Sequence, residues 1–89
     1  MFSKKRSDIE IIGEILSLSK GGARKTEILY QCNLSFTQCN KYLTYLMDKN
    51  ILDKKIIKNV SGNNDNYYRT TEKGLTLLEE INKTLFYFW

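Results

Sequence analysis

Apolar residues recur along this chain at two spacings, and each spacing marks a kind of element. Ile9, Ile12, Ile15 and Leu16 stand three and four residues apart, with Ile11 and Leu18 widening the stripe, which predicts a helix running to about Lys20. Ser7-Asp8-Ile9-Glu10 opens it as a capping box, and Gly21-Gly22 offers a residue able to close it with positive φ. Ala23-Arg24-Lys25 reads as a short extended bridge. A brief helix, Thr26 to Cys32, then turns Ile28, Leu29 and Cys32 inward.

Asn33 follows at once, and asparagine is the non-glycine residue that best tolerates the left-handed conformation of a tight turn. Ser35 to Lys49 carries the strongest helical signal. Ser35 and Gln38 can form a capping box, Leu34 and Cys39 occupy the two positions of a hydrophobic staple, and Cys39, Leu43 and Leu46, with Tyr42 and Met47 beside them, make one buried face. The opposite face holds Phe36, Thr37, Asn40, Lys41, Thr44 and Tyr45, with no carboxylate until Asp48. Amides, hydroxyls and a cation on one helix face suit a polyanion that also offers hydrogen-bonding base edges.

Beyond Asn50, which can serve as the helix stop, the rhythm changes. Ile51 to Val60 is rich in β-branched residues and reads as a strand, Ser61 to Asn66 has the composition of a hairpin tip, and Tyr67 to Thr70 is the returning strand. Thr71 caps a last helix that places Glu72 in its first turn and continues through Leu75, Leu78, Ile81 and Leu85. The fold class is therefore mainly α with a small β-hairpin (α+β). Thr26 to Lys49 has the helix, turn and longer helix of a helix-turn-helix, whose second member enters the major groove.

Composition narrows the chemistry. Eighty-nine residues make one small domain, and 42% hydrophobic content makes it globular. A net charge of +4 favours an acidic partner. No histidine is available as a general base, no glycine-rich phosphate loop is present, and neither cysteine has a partner that would lower its pKa, so the pattern argues against an enzyme. The same inventory leaves no clustered metal ligands, no cofactor and no evident small-molecule ligand. Cys32 and Cys39 fall on apolar faces as small hydrophobes; a disulfide or thiol switch is the sharper alternative. Met1 to Ser7 is short and basic and leads straight into a capped helix, which points to the cytoplasm, and no apolar run reaches the roughly twenty residues needed to span a bilayer.

Helix, short strand, helix, turn, helix, hairpin, helix is the order of a winged helix, a helix-turn-helix with a β-hairpin wing. Asn33-Leu-Ser leading into Tyr42-Leu43-Thr-Tyr-Leu46, and Tyr68-Arg-Thr-Thr-Glu-Lys-Gly74 at the strand-to-helix junction, support it, as does the lysine- and isoleucine-rich composition. The chain resembles the small archaeal winged-helix, coiled-coil-dimer family of chromatin-associated DNA-binding proteins. That resemblance implies duplex DNA binding by a nucleoid-associated homodimer whose C-terminal helices pair. The expected organisation is a winged helix-turn-helix over 1–70, with the wing at about 51–70, and a dimerisation helix over 71–89.

The expected DNA contacts follow. Asn40 suits an adenine edge, Lys41 a guanine edge or a phosphate, and Thr37 and Thr44 hydroxyl contacts. Phe36 packs on a thymine methyl or sugar, or against the supporting helix. Lys58, Asn63, Asn64 and Arg69 would serve the wing, and Arg24 and Lys25 a phosphate near the supporting helix. Lys4-Lys5-Arg6 is a solvated arm or a phosphate contact, and Lys54 and Lys55 are as well explained by a solvated strand edge. On the last helix Leu78, Ile81, Leu85 and Phe88 have the spacing of a coiled-coil seam, and Phe86 and Trp89 extend an apolar end that a second copy would cover. The alternatives are a fold-back of that end against Ile11, or attachment to a membrane surface. For the whole chain the competing reading is a winged-helix protein-interaction module that never touches nucleic acid.

Overall fold

A computed structural model describes residues 6–87. Its elements are α1 (Asp8–Leu18), β1 (Ala23–Arg24), α2 (Lys25–Gln31), α3 (Phe36–Asp48), β2 (Leu52–Lys58), β3 (Asn64–Thr70) and α4 (Glu72–Phe86). The three strands form one antiparallel sheet in the order β1-β3-β2, so the bridge is a true edge strand: Ala23 pairs with Tyr68 and Arg24 with Tyr67.

Local chemistry sets the helix ends. Ser7 accepts from the Glu10 amide and the Glu10 carboxylate accepts from the Ser7 amide; Ser35 and Gln38 make the same reciprocal pair at 3.1 and 3.0 Å. Asn33 (φ 52) and Asn50 (φ 60) are the positive-φ non-glycine residues described, one in the turn between α2 and α3 and one ending α3. The staple closes as expected, with Leu34 and Cys39 both buried.

One core runs through every layer. Ile15, Leu16, Ile28, Leu43, Leu46 and Leu52 are fully enclosed, each contributing roughly 1.5–3 kcal/mol by leaving water. Cys32 and Cys39 belong to it as free thiols. Burial pushes the Cys32 thiol up to about 11 and raises Cys39 in the same direction, which keeps both protonated and unreactive.

Helix α4 departs from the expectation. Leu78 and Ile81 are 3% and 4% exposed and pack in this same core, so they cannot form a seam with another copy. The reason is α1: its Gly13 lacks the side chain that would hold α4 away, and a Cβ there would stand 3.1 Å from Ile81 Cγ2. Leu75, which the apolar pattern places inward near the start of this helix, is instead exposed, and Leu77 and Leu85 pack partly against the core. Residue 71 therefore begins a wall of the winged-helix core and not a separate unit. Phe88 and Trp89, expected at the end of the seam, lie outside the described residues.

The junction into α4 is tightly made. The Thr71 amide donates to the Ile51 carbonyl at 3.1 Å, its hydroxyl reaches the Asn50 carbonyl at 2.7 Å, and the same oxygen accepts from the Gly74 amide. A Cβ on Gly74 would lie 2.3 Å from the Ile51 carbonyl oxygen, so only glycine lets α4 approach this closely. On the other side, Thr70 ties β3 to the end of α1 through the Ser19 and Leu16 carbonyls.

Candidate nucleic-acid interface

The outer face of α3 is open. Phe36, Thr37, Lys41, Thr44 and Tyr45 are exposed and Asn40 is half-buried, with Asp48 as the one acid, at the far end. Lysines brace the aromatic rings: Lys25 Nζ lies 4.3 Å from the centre of the Phe36 ring, and Lys49 Nζ 5.8 Å from that of Tyr45. Phe36 thus leans on the supporting helix through Lys25 while staying largely in solvent, and Lys25, Phe36 and the start of α3 form one cluster.

The wing differs from its expected outline. Its tip spans 59–63, not 61–66, because β3 starts at Asn64 opposite Lys58. Asn59 sets this. Its side-chain oxygen accepts from the Ser61 and Asn63 amides at 2.9 and 3.0 Å, its amide donates to the Asn63 carbonyl, and Gly62 takes φ 81. Asn64 is therefore a strand residue and Asn63 a tip residue.

The register also divides the wing's charges between two faces, since directly opposed residues point to the same side. One face continues from buried Leu52, Tyr68 and Thr70 and carries Lys54, Ile56 and Lys58 with Asn66 and Asn64; it has no carboxylate. The other carries Asp53 opposite Arg69, Lys55 opposite Tyr67, and Ile57 opposite Asp65. Arg24 joins this second face. Its guanidinium donates to the Tyr67 hydroxyl at 3.1 Å and lies 3.6 Å from Asp65, contacts that raise its pKa further, the Tyr67 hydrogen bond first.

The residues proposed from sequence accordingly fall into two groups. Lys25, Phe36, Thr37, Asn40, Lys41 and Thr44 sit on or against α3, and Lys58 and Asn64 share the carboxylate-free wing face, with Asn63 in the tip that joins their strands. Arg24 and Arg69 do not join them; both face acids on the opposite side of the sheet.

Two contributors were missed. Arg6, assigned to the basic arm, is engaged within the fold: it pairs with Glu14 and donates to the Cys32 and Asn33 carbonyls, fastening α1 to the turn before α3. Nothing local in the sequence signals a contact across 26 residues. Asp8 accepts from the Tyr42 hydroxyl at 2.5 Å, which with burial holds that phenol up at about 12 and ties α3 to the start of α1. Lys4 and Lys5 lie outside the described residues.

Charge follows the same geometry. Residues 24–69 contain eight of the fourteen cations and four of the ten acids, an excess equal to the whole net charge of +4. Among the described residues no group of three or more histidine, cysteine, aspartate or glutamate side chains could hold a metal ion, and no helix is long and apolar enough to cross a membrane.

A helix-turn-helix whose second helix is exposed beside a β-hairpin defines the winged helix class. The chain belongs to the winged helix-turn-helix family, whose model matches residues 5–85. An uncharacterized protein of Methanocaldococcus jannaschii is 37% identical over 82 residues, and the chain spans 35% of that relative's length. Among solved structures, the DNA-binding protein Sso10a-2 of Sulfolobus solfataricus superposes with a TM-score of 0.77 at 26% identity, covering 90% of this chain and 79% of that one. A PadR-like transcriptional regulator of Bacillus cereus superposes with a TM-score of 0.75 at 21% identity, over 83% of this chain and 79% of its own, a likeness of fold.

Proposed function

We propose that this chain binds duplex DNA, as a transcriptional regulator or an architectural chromatin protein, by docking and not by chemistry. The observation that carries the reading is the placement of charge: the whole excess of cations lies in the segment spanning helix-turn-helix and wing, and the outer face of α3 and one wing face are almost free of carboxylates. The likeness to Sso10a-2, a DNA-binding protein, supports it. In this reading α3 lies in the major groove with Asn40, Lys41, Thr37 and Thr44 towards base edges and phosphates, and the wing reaches the flanking minor groove and backbone through Lys58, Asn63 and Asn64. The working site is the nucleoid in the cytoplasm.

The dimer contact is proposed at the end of α4. With Leu78 and Ile81 inside the core, the apolar surface left there among the described residues is Phe86 and Tyr87, which are 77% and 83% exposed and stack edge to face at 5.9 Å. Sedimentation at tens of micromolar is expected to show a dimer that Phe86→Ser with Tyr87→Ser converts to monomer; an unchanged dimer places the interface elsewhere.

Mobility shifts at low salt with duplex and single-stranded probes test the main reading. A complex that prefers duplex is expected, and footprinting on genomic fragments against random duplex then separates regulator from architectural protein. No complex with any duplex at low salt leaves the protein-interaction module as the function.

A further inference from the structure

The wing exposes apolar side chains where polar ones would hold a strand equally well. Ile56 is 63% exposed on the carboxylate-free face, Ile57 54% on the acidic face, and Val60 fully exposed in the tip. Lysines flank them at 54, 55 and 58. β2 is also one of the two edge strands of the sheet. An exposed apolar run on an edge strand is an aggregation hazard unless it has a partner.

The tip is built to present Val60. Asn59 collects the amides of Ser61 and Asn63, Gly62 donates to the Asn59 carbonyl at 3.0 Å, and Val60 stands between these fixed points with no core contact. A β-branched side chain adds few rotamers of its own. The result is a preorganised apolar point in the turn above the last strand pair, Lys58 with Asn64.

We infer that Ile56 and Val60 form an apolar wedge that the wing inserts into the minor groove of bound duplex, opening a base step and bending the DNA. This rests on the duplex-binding reading above. The minor groove, about 6 Å wide, admits side chains but not a two-stranded ribbon, so a hairpin must enter it by the residues of its tip and leading face. Lys54 and Lys58 can hold the phosphates on either side of the groove while Asn64 and Asn66 meet its acceptor-rich floor. Ile57 lies beside Asp65 on the other face and is not part of the wedge. Wedges of this chemistry kink duplexes by roughly 20–90°.

The full chain bound to end-labelled duplexes, with the bend read by fluorescence transfer and by circularly permuted probes, tests this. The wild-type complex is expected to bend its probe by at least about 20°. Ile56→Thr with Val60→Ser should straighten it while the slope of log affinity against log salt stays unchanged, and Ile57→Thr should bend it as the wild type does. All three residues are exposed, so an unchanged melting temperature is expected for each variant. A straight wild-type complex, or a double variant that bends as well as the wild type, overturns the wedge while leaving DNA binding intact. If the double variant keeps its bend and loses self-association in sedimentation, the apolar wing joins two copies and the wedge is likewise overturned. Absence of any complex at low salt removes the duplex reading, and the wedge with it.

Discussion

Neutralising single lysines should change how steeply DNA binding depends on salt, and the two wing faces make the outcome specific. Lys41, Lys49, Lys54 and Lys58 stand on α3, at its end or on the carboxylate-free wing face, and Lys25 braces the start of α3. If each of these about five cations displaces one counterion per protomer, log affinity should fall with log salt at a slope near −4.5 per protomer. Between about 50 and 200 mM salt that amounts to roughly 500-fold per protomer. Lys58→Gln or Lys41→Gln should shallow the slope by about 0.9, reducing the same change by roughly 3.5-fold. Arg69→Gln and Arg24→Gln should barely alter it, because Asp53 opposes the first and Asp65 and Tyr67 engage the second. Fluorescence anisotropy across a salt series measures every slope on the same probe. An Arg69→Gln variant that shallows the slope as much as Lys58→Gln would refute the division of the wing into a DNA face and an acid-bearing face.

Three further changes probe how the interface is supported. Gly74→Ala drives a Cβ to 2.3 Å from the Ile51 carbonyl oxygen and 2.7 Å from Thr70 Cγ2; at about 1–3 kcal/mol for overpacking and 4–8 °C per kcal/mol, its melting temperature should fall by at least about 4 °C, and an unchanged melt would show that the junction can open freely. Tyr42 has a folded-state pKa raised from 10 to about 12, chiefly by its hydrogen bond to Asp8, so its stabilisation is complete below pH 10 and disappears as pH rises towards 12. Tyr42→Phe should abolish that part of the alkaline loss in urea titrations, and a variant with the wild-type profile would assign the loss to other groups. Arg6→Met leaves the Cys32 and Asn33 carbonyls without their charged donor; a lower urea midpoint at unchanged m, by about 1 kcal/mol in a site partly open to water, is expected, and an unaltered midpoint would show that Arg6 does not restrain the turn.

What could be read from sequence was what is decided within a few residues. The turn before α3 was legible because Ser35 and Gln38 cap each other within three positions, and φ 52 at Asn33 is a conformation that asparagine tolerates better than other non-glycine residues. The wing tip was not, since Ser61 to Asn66 is uniformly rich in turn formers and the choice fell to Asn59, whose carbonyl and side chain together gather three amides. Nor could Ile51 to Val60 reveal which lysines share a face. Lys54-Lys55-Ile56-Ile57-Lys58 lacks strict alternation, and one residue of slip would have moved Lys58 to the side of Asp65.

Helix α4 shows the deeper limit. Leu78, Ile81 and Leu85 keep three- and four-residue spacing whether the helix packs on its own domain or on a second copy, because periodicity records that a face is buried and not what buries it. The discriminating residue lay elsewhere in the chain. Gly13 sits inside α1, where glycine costs about 1 kcal/mol relative to alanine, amid isoleucines that would otherwise make a continuous ridge. A glycine at such a place marks a close approach by another element, and the element is α4, with Ile81 Cγ2 3.1 Å from where a Cβ would be. Taking Leu78 and Ile81 into the core makes α4 a structural partner of α1, which Arg6 in turn fastens to the turn before α3. Any contact between copies at Phe86 and Tyr87 would therefore reach α3 through packed elements rather than through a flexible linker.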